Sequence, residues 1–320
     1  MAEILQSIDK AIGGTKIVSL SRLAAEYGVK GNIYAKLEYL NPGLSKKDRI
    51  AIAMIDAAEA SGALKKGQPV IELTSGNTGI GLAIVCAIRG YRFIACMSAG
   101  NSIERARMMK AFGAEVVLVP QAPGSIAGQV SGEDVAFVEA EADRLTAELN
   151  AFRADQFRLP ANIYAHQYGT AKEMIEQTGG DIDAFVDFAG SGGTFAGCSR
   201  GLKEYNKNIK CYVVEPETAP YYFGGEPKKG SHVIQGGGYA MDLPLIDRNL
   251  IDGVILTPNE EAVEFTRSLA RLEGAFCGFS SGANLYAAVK LLRGEFEGKS
   301  IVLTLNDSGL KYLSTDLFPF

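Results

Sequence analysis

Tryptophan is absent from this chain, and histidine occurs only as His166 and His232. Two imidazoles supply a zinc centre or a histidine-based triad poorly. The five cysteines, at 86, 96, 198, 211 and 277, form no Cys-x-x-Cys pair, and most sit in apolar runs such as Ile84-Val85-Cys86-Ala87-Ile88. Buried free thiols in a reducing compartment account for them better than disulfides, metal ligation or a nucleophile. A basic excess is missing too: 32 Lys and Arg against 37 Asp and Glu leave a net charge of -5, which argues against general affinity for nucleic acid or anionic membranes. No apolar run approaches the ~18–20 residues of a membrane span. Glu3 and Asp9 stand where a signal peptide carries a basic patch and an apolar core. The expected compartment is the cytoplasm, and small anions need a local site.

What is present is ordinary for a globular protein: 320 residues, 47% apolar and 22% charged, enough for one large or two moderate cores without staples. Short β-rich runs each lead into a helical pattern: 69–73 before 79–89, 92–97 before 103–112, and 184–188 before 194–205. Runs at 211–214, 254–256 and 301–305 continue the alternation, and 260–272 and 281–293 read as helices. Strands separated by helices of this length imply right-handed crossovers and a mostly parallel sheet, an α/β protein. The stretch 120–134, rich in Gly, Pro and Ser, reads as a long loop.

Three glycine- and hydroxyl-rich turns open helices. Thr74-Ser75-Gly76-Asn77-Thr78-Gly79 offers hydroxyls, an amide and backbone N–H groups at a helix N-terminus, where the dipole favours an anion; helix capping is the plainer alternative. Its glycine spacing is not that of a dinucleotide-binding loop. Gly190-Ser191-Gly192-Gly193-Thr194 lies between an apolar run and a helix, the setting of a backbone phosphate cradle, and lacks the ending of a nucleotide P-loop. A tight strand-to-helix turn would look the same. Gly278-Phe279-Ser280-Ser281-Gly282 is the third. Ahead of them, Asn41-Pro42-Gly43-Leu44-Ser45-Lys46-Lys47-Asp48-Arg49 is a turn-rich loop opening a helix, which taken alone is a solvated charged helix start. A lysine at a helix entrance together with carboxylate- and phosphate-binding loops suits an amine that holds an aldehyde cofactor.

The four segments together resemble the cysteine synthase and cystathionine β-synthase family, pyridoxal-phosphate (PLP) enzymes of the tryptophan-synthase-β fold, over residues 10–316. The resemblance implies fold type II: two three-layer αβα domains with mostly parallel twisted sheets and the cofactor in the cleft between them. It places a larger PLP-binding domain at 1–47 plus 156–320 and a smaller mobile substrate-carboxylate domain at 48–155. The family order Ser, any residue, Lys, small or acidic residue, Arg assigns Lys47 to the cofactor and leaves Lys46 in a position usually aliphatic. It further implies that Gly190, Ser191, Gly192, Gly193 and Thr194 bind the cofactor phosphate and that Asn77 meets its phenolic oxygen. Ser280 would meet its ring nitrogen, where a neutral hydroxyl implies a largely unprotonated ring. Thr74, Ser75, Gly76, Thr78 and Gln156 would take the substrate carboxylate. The C-terminal Leu305-Asn306-Asp307-Ser308-Gly309 and Tyr312-Leu313-Ser314-Thr315 fit as structure around the ring end.

The implied activity is β-replacement on a 3-substituted L-alanine of serine, O-acetylserine or cysteine type through an aminoacrylate, with cysteine synthase the leading reading. The partners are then the amino acid and a thiol or sulfide, and the assembly a homodimer; no metal, nucleic acid or membrane is implied. β-Elimination, as in a cysteine desulfhydrase or hydroxy-amino-acid dehydratase, a cystathionine β-synthase-like condensation, and a binding or regulatory protein on the same fold are the alternatives. Departures gather at the substrate entrance. Tyr239, in Gln235-Gly236-Gly237-Gly238-Tyr239, looks more like cystathionine β-synthases than cysteine synthases, and either works on the substrate or packs over the glycine turn. Ala99-Gly100-Asn101-Ser102 stands where the family has a Met-Ser loop, and the 120–134 stretch is foreign to its best-known members.

Overall fold

A computed structural model describes residues 4–126, 128–224 and 230–319. Its ten strands are β1 (Ile17–Ser19), β2 (Asn32–Lys36), β3 (Val70–Leu73), β4 (Phe93–Ser98), β5 (Glu115–Val119), β6 (Phe152–Arg153), β7 (Ala184–Phe188), β8 (Lys210–Pro216), β9 (Gly253–Thr257) and β10 (Ser300–Thr304). They form a six-stranded sheet in the order β1-β2-β10-β7-β8-β9 and a four-stranded sheet in the order β5-β4-β3-β6. Every pairing is parallel except β1 with β2. The α/β reading with mostly parallel sheets in two layered units therefore holds. The four-stranded sheet lies wholly between Val70 and Arg153, and the chain returns to the larger sheet on both sides of that span.

The central strands are buried on both faces, as strands covered by crossover helices must be: all residues of β3, β4, β7 and β10 are buried. That is why they read as largely apolar runs, interrupted by Glu72 in β3 and Asp187 in β7. Outer strands β1, β5 and β6 are partly exposed and were not expected, although β5 carries the apolar run Val116-Val117-Leu118-Val119. β2 alternates Ile33 and Ala35 with half-buried or polar residues, and its Lys36 is buried. Helices Asn77–Arg89, Ile103–Ala111, Gly193–Tyr205, Asn259–Glu273 and Phe279–Leu292 match their expected spans within a few residues. The helix Gly132–Glu148 starts inside the stretch expected to be a loop. A capping box sets its start: the Ser131 hydroxyl accepts from the Asp134 N–H while the Asp134 carboxylate accepts from the Ser131 N–H.

Candidate active site

The carboxyl ends of both sheets face one cleft of about 390 Å³, part of it open to solvent. Ligands in open α/β sheets bind at this end. Its lining brings together Lys47, Thr74, Ser75, Asn77, Thr78, Gln156, Ser191 and Tyr239, eight residues marked by the sequence. Gly190 adjoins them: a Cβ there would stand 3.9 Å from Lys47 Nζ and 2.8 Å from the Gly236 carbonyl, so only glycine lets the loop pass. Gly76, Gly192, Gly193, Thr194 and Ser280 are not in the lining and sit one layer behind it.

Lys47 is the first residue of the helix Lys47–Ser61. The loop before it is clamped to the segment after β10: Lys46 N–H donates to the Asn306 carbonyl (2.9 Å), and Ser308 N–H donates to the Leu44 carbonyl (3.1 Å). Two residues on, buried Arg49 binds Glu38 (2.7 Å) and Glu173 (2.7 Å), fixing the helix start to the larger sheet's surroundings. Lys47 Nζ lies 3.3 Å from Ser191 Oγ. Burial, and next the neighbouring Lys46 charge, lower its pKa to about 7, against the opposing pull of Asp187. A neutral amine is thus within reach at physiological pH.

Lys46 points elsewhere. It is buried and pairs with both carboxylate oxygens of buried Asp187, at 2.7 and 3.0 Å. The position usually aliphatic thus holds a cation matched by an anion at the end of β7, a pairing that local sequence does not reveal.

Behind the cleft, the turn after β7 reaches the helix Gly193–Tyr205 through Gly192 at φ +86°. A side chain at Gly193 would collide with Asn162, whose Nδ2 donates to Ser191 Oγ (3.0 Å) and the Gln156 carbonyl (2.7 Å). Thr194 Oγ1 lies 3.2 Å from His166 Nε2. Burial and nearby cations hold His166 well below its usual pKa, so it stays neutral.

On the facing side, Thr74 Oγ1 accepts from the Gly76 and Gly79 N–H groups (2.9 and 3.0 Å), leaving its own proton free to donate. Thr78 Oγ1 donates to Gln156 Oε1 (2.7 Å), Gln156 Nε2 donates to the Leu73 carbonyl (3.0 Å), and Ser75 Oγ lies 2.9 Å from the Tyr239 hydroxyl. Gly76, at φ +123°, is required because a Cβ there would collide with the buried Arg105 side chain. Asn77 is held at both ends of its amide: Lys311 Nζ donates to its Oδ1 (2.7 Å), and its Nδ2 donates to Asp307 (2.7 Å). One amide proton remains for the cleft. Ser280 Oγ contacts the Asn306 side chain at 3.0 Å, one residue from that same Asp307.

Sequence reasoning missed Asn162, Asp187, Asn306, Lys311 and Arg105, which hold the others in place. Only the C-terminal segment around Asn306 had been flagged at all. The residues present suit an aldehyde-bearing aromatic phosphate: a depressed amine, a glycine-rich turn with hydroxyls at a helix N-terminus, and an oriented amide donor.

Residues 8–307 match the family model described as pyridoxal-phosphate dependent enzyme. A cysteine synthase of Staphylococcus aureus is 40% identical over 317 residues, spanning 99% of this chain and 98% of the relative. Among solved structures, an O-ureido-L-serine synthase superposes with a TM-score of 0.88 at 37% identity, covering 99% of this chain and 96% of that one. A hydrogen sulfide-producing enzyme of Fusobacterium nucleatum superposes with a TM-score of 0.89 at 35% identity, covering 97% and 100%.

Proposed function

The chain belongs to the pyridoxal-phosphate-dependent enzyme family, and from that membership we propose that it replaces the β-substituent of a serine-type amino acid with sulfide or another thiol, as a cysteine synthase. The observation that carries this reading is the Lys47 amine, lowered to about 7 between the Ser191 turn and the Thr74–Thr78 turn. Lys47 is the residue that holds the cofactor, and the N-terminus of the helix Gly193–Tyr205 receives its phosphate. Asn77 donates its free amide proton to the cofactor's phenolic oxygen. The bound cofactor supplies an electron sink for negative charge developing at the substrate α-carbon.

The chain does the rest. Hydroxyls of Thr74, Ser75 and Thr78 at the start of the helix Asn77–Arg89 take the α-carboxylate, and Gln156 closes on it. Lys47, freed once the substrate amine displaces it, removes the α-proton, a task for which a pKa near the working pH is well matched. The β-substituent departs with its bonding electrons, the thiol or sulfide gives up its proton and bonds to the same carbon, and Lys47 returns its proton to the α-carbon.

Tyr239 favours a second reading, β-elimination. Its phenol lies beside Ser75 in the lining, where it can orient a water or a hydroxyl leaving group. The smaller unit at 48–155 carries the carboxylate loop and moves toward the larger on binding. A cytoplasmic homodimer belongs to the same proposal, and no described helix is long and apolar enough to cross a membrane. The test is product analysis with O-acetylserine, serine and cysteine, each with and without sulfide. Cysteine formed only with O-acetylserine and sulfide together supports the proposal; pyruvate as the dominant product in every mixture replaces it with elimination.

A further inference from the structure

Asn162 stands on the short helix Ala161–Ala165 behind the cleft and is fully buried. Its Nδ2 carries two protons and makes two contacts, 3.0 Å to Ser191 Oγ and 2.7 Å to the Gln156 carbonyl. The orientation has no alternative, because a flipped amide would set its own oxygen against a carbonyl that can only accept. One amide therefore holds a hydroxyl of the 190–194 turn and the backbone of Gln156 at the same time. Gly193 makes room for it: a Cβ there would collide with Asn162 Oδ1.

Each end of that amide decides where another proton goes. Ser191 Oγ accepts from Asn162, so the Ser191 proton is left for the cleft that this residue lines, where an anion is the strongest acceptor it can meet. Gln156 is held on its other sides by the smaller unit. Its N–H faces Glu72 Oε1 (3.3 Å), its Nε2 donates to the Leu73 carbonyl (3.0 Å), and its Oε1 accepts from Thr78 (2.7 Å). The Leu73 bond uses one Nε2 proton, and the second remains for the cleft. Through its carbonyl, Asn162 ties this residue to the phosphate turn of the larger unit.

We propose that Asn162 is a positioning residue for both turns at once: it directs the Ser191 proton at the cofactor phosphate and sets the Gln156 amide against the substrate carboxylate. One buried side chain thereby serves cofactor and amino-acid binding without touching either. This rests on the reading that the 190–194 turn takes the phosphate and that Gln156 closes on the carboxylate.

The test is a pair of titrations on Asn162→Ala. Cofactor-free protein is titrated with pyridoxal phosphate and with pyridoxal, which lacks the phosphate; relative to wild type the first should bind about tenfold more weakly and the second within about twofold. Cofactor-saturated protein is titrated with L-alanine, which has the carboxylate and no leaving group, followed by the absorption of the bound cofactor. Its affinity should fall about tenfold, and Asn162→Ala with Gln156→Ala should bind no more weakly than Gln156→Ala alone, because the Asn162 effect runs through Gln156. Equal weakening of pyridoxal and its phosphate, an unchanged affinity for alanine, or additive losses in the double variant would each overturn the proposal. Asn162→Ser keeps a polar group in the buried site should Asn162→Ala fold poorly, and it must show the same two splits. Unchanged alanine affinity in Gln156→Ala would instead remove the carboxylate reading on which the proposal rests.

Discussion

On the larger sheet's side of the cleft the polar groups carry paired formal charges, Lys46 with Asp187 and Arg49 with Glu38 and Glu173. On the smaller sheet's side the groups of the carboxylate turn are neutral, the hydroxyls of Thr74, Ser75 and Thr78 with the amide of Gln156 against them, although the lining there also includes Arg105. Even the carboxylate behind them, Glu72, is pushed up to about 8 by burial, despite Arg153 nearby. Paired charges in low dielectric are costly to separate, so they suit the side that holds a permanent group still. Neutral groups exchange partners cheaply. Thr78 with Gln156 and Ser75 with Tyr239 hold one another and can turn to an incoming carboxylate.

The comparison breaks most visibly at Lys46. Lys46→Met leaves Asp187 buried without its cation and should cost ~3–5 kcal/mol in chemical denaturation, whereas Lys46→Met with Asp187→Val should recover most of that loss. A double variant no better than the single one would show that the pair is not the anchor. Across the cleft, removing one hydrogen bond to a charged substrate group costs ~1.5–3 kcal/mol, roughly ten- to hundredfold in affinity. Gln156→Ala should therefore weaken amino-acid binding by that factor with cofactor content unchanged; equal loss of cofactor would make the residue structural.

Which parts were legible follows the same division. The doubly buried strands β3, β4, β7 and β10 announce themselves as apolar runs, and the glycine-hydroxyl turns are local enough to read directly. The clamp behind Lys47 is not, because its partners are far apart in sequence: Lys46 and Asp187 are separated by 141 positions, Asp187 and Thr304 by 117. Lys46 next to Lys47 reads as a solvated charge run until β7 delivers Asp187 beside it. Likewise Arg105 carries no local mark of packing under Gly76; only the fold brings the helix Ile103–Ala111 beneath that turn.

The depressed Lys47 gives a pH signature. Below about 7 the amine is protonated and a poor nucleophile, so capture of pyridoxal phosphate by cofactor-free protein should rise with pH through about 7 and then level. Lys46→Met removes a cation that lowers this pKa while Asp187 remains to raise it, so the midpoint should move up; a midpoint that falls or stays would contradict the assigned causes. Between about 7 and the ordinary 10.5 the unfolded chain holds the proton more fully, so this group's contribution to stability rises with pH across that window.

The smallest effect belongs to Tyr239→Phe. The Ser75–Tyr239 bond joins neutral groups and is worth ~0.5–1.5 kcal/mol, so folding and cofactor content should hardly change. If the phenol works on substrate, the ratio of replacement product to pyruvate, or the preference between serine and O-acetylserine, shifts by up to about tenfold. An unchanged ratio and preference would make Tyr239 packing over the glycine turn.

The assignment of the two adjacent lysines, one to the cofactor and one to the ion pair, is tested most directly by borohydride reduction of the cofactor-loaded protein followed by peptide mapping. Lys46 is committed to Asp187 at 2.7 Å, while Lys47 faces the cleft beside Ser191. The account predicts the reduced cofactor on Lys47 alone; a tag on Lys46, or on neither, would contradict it.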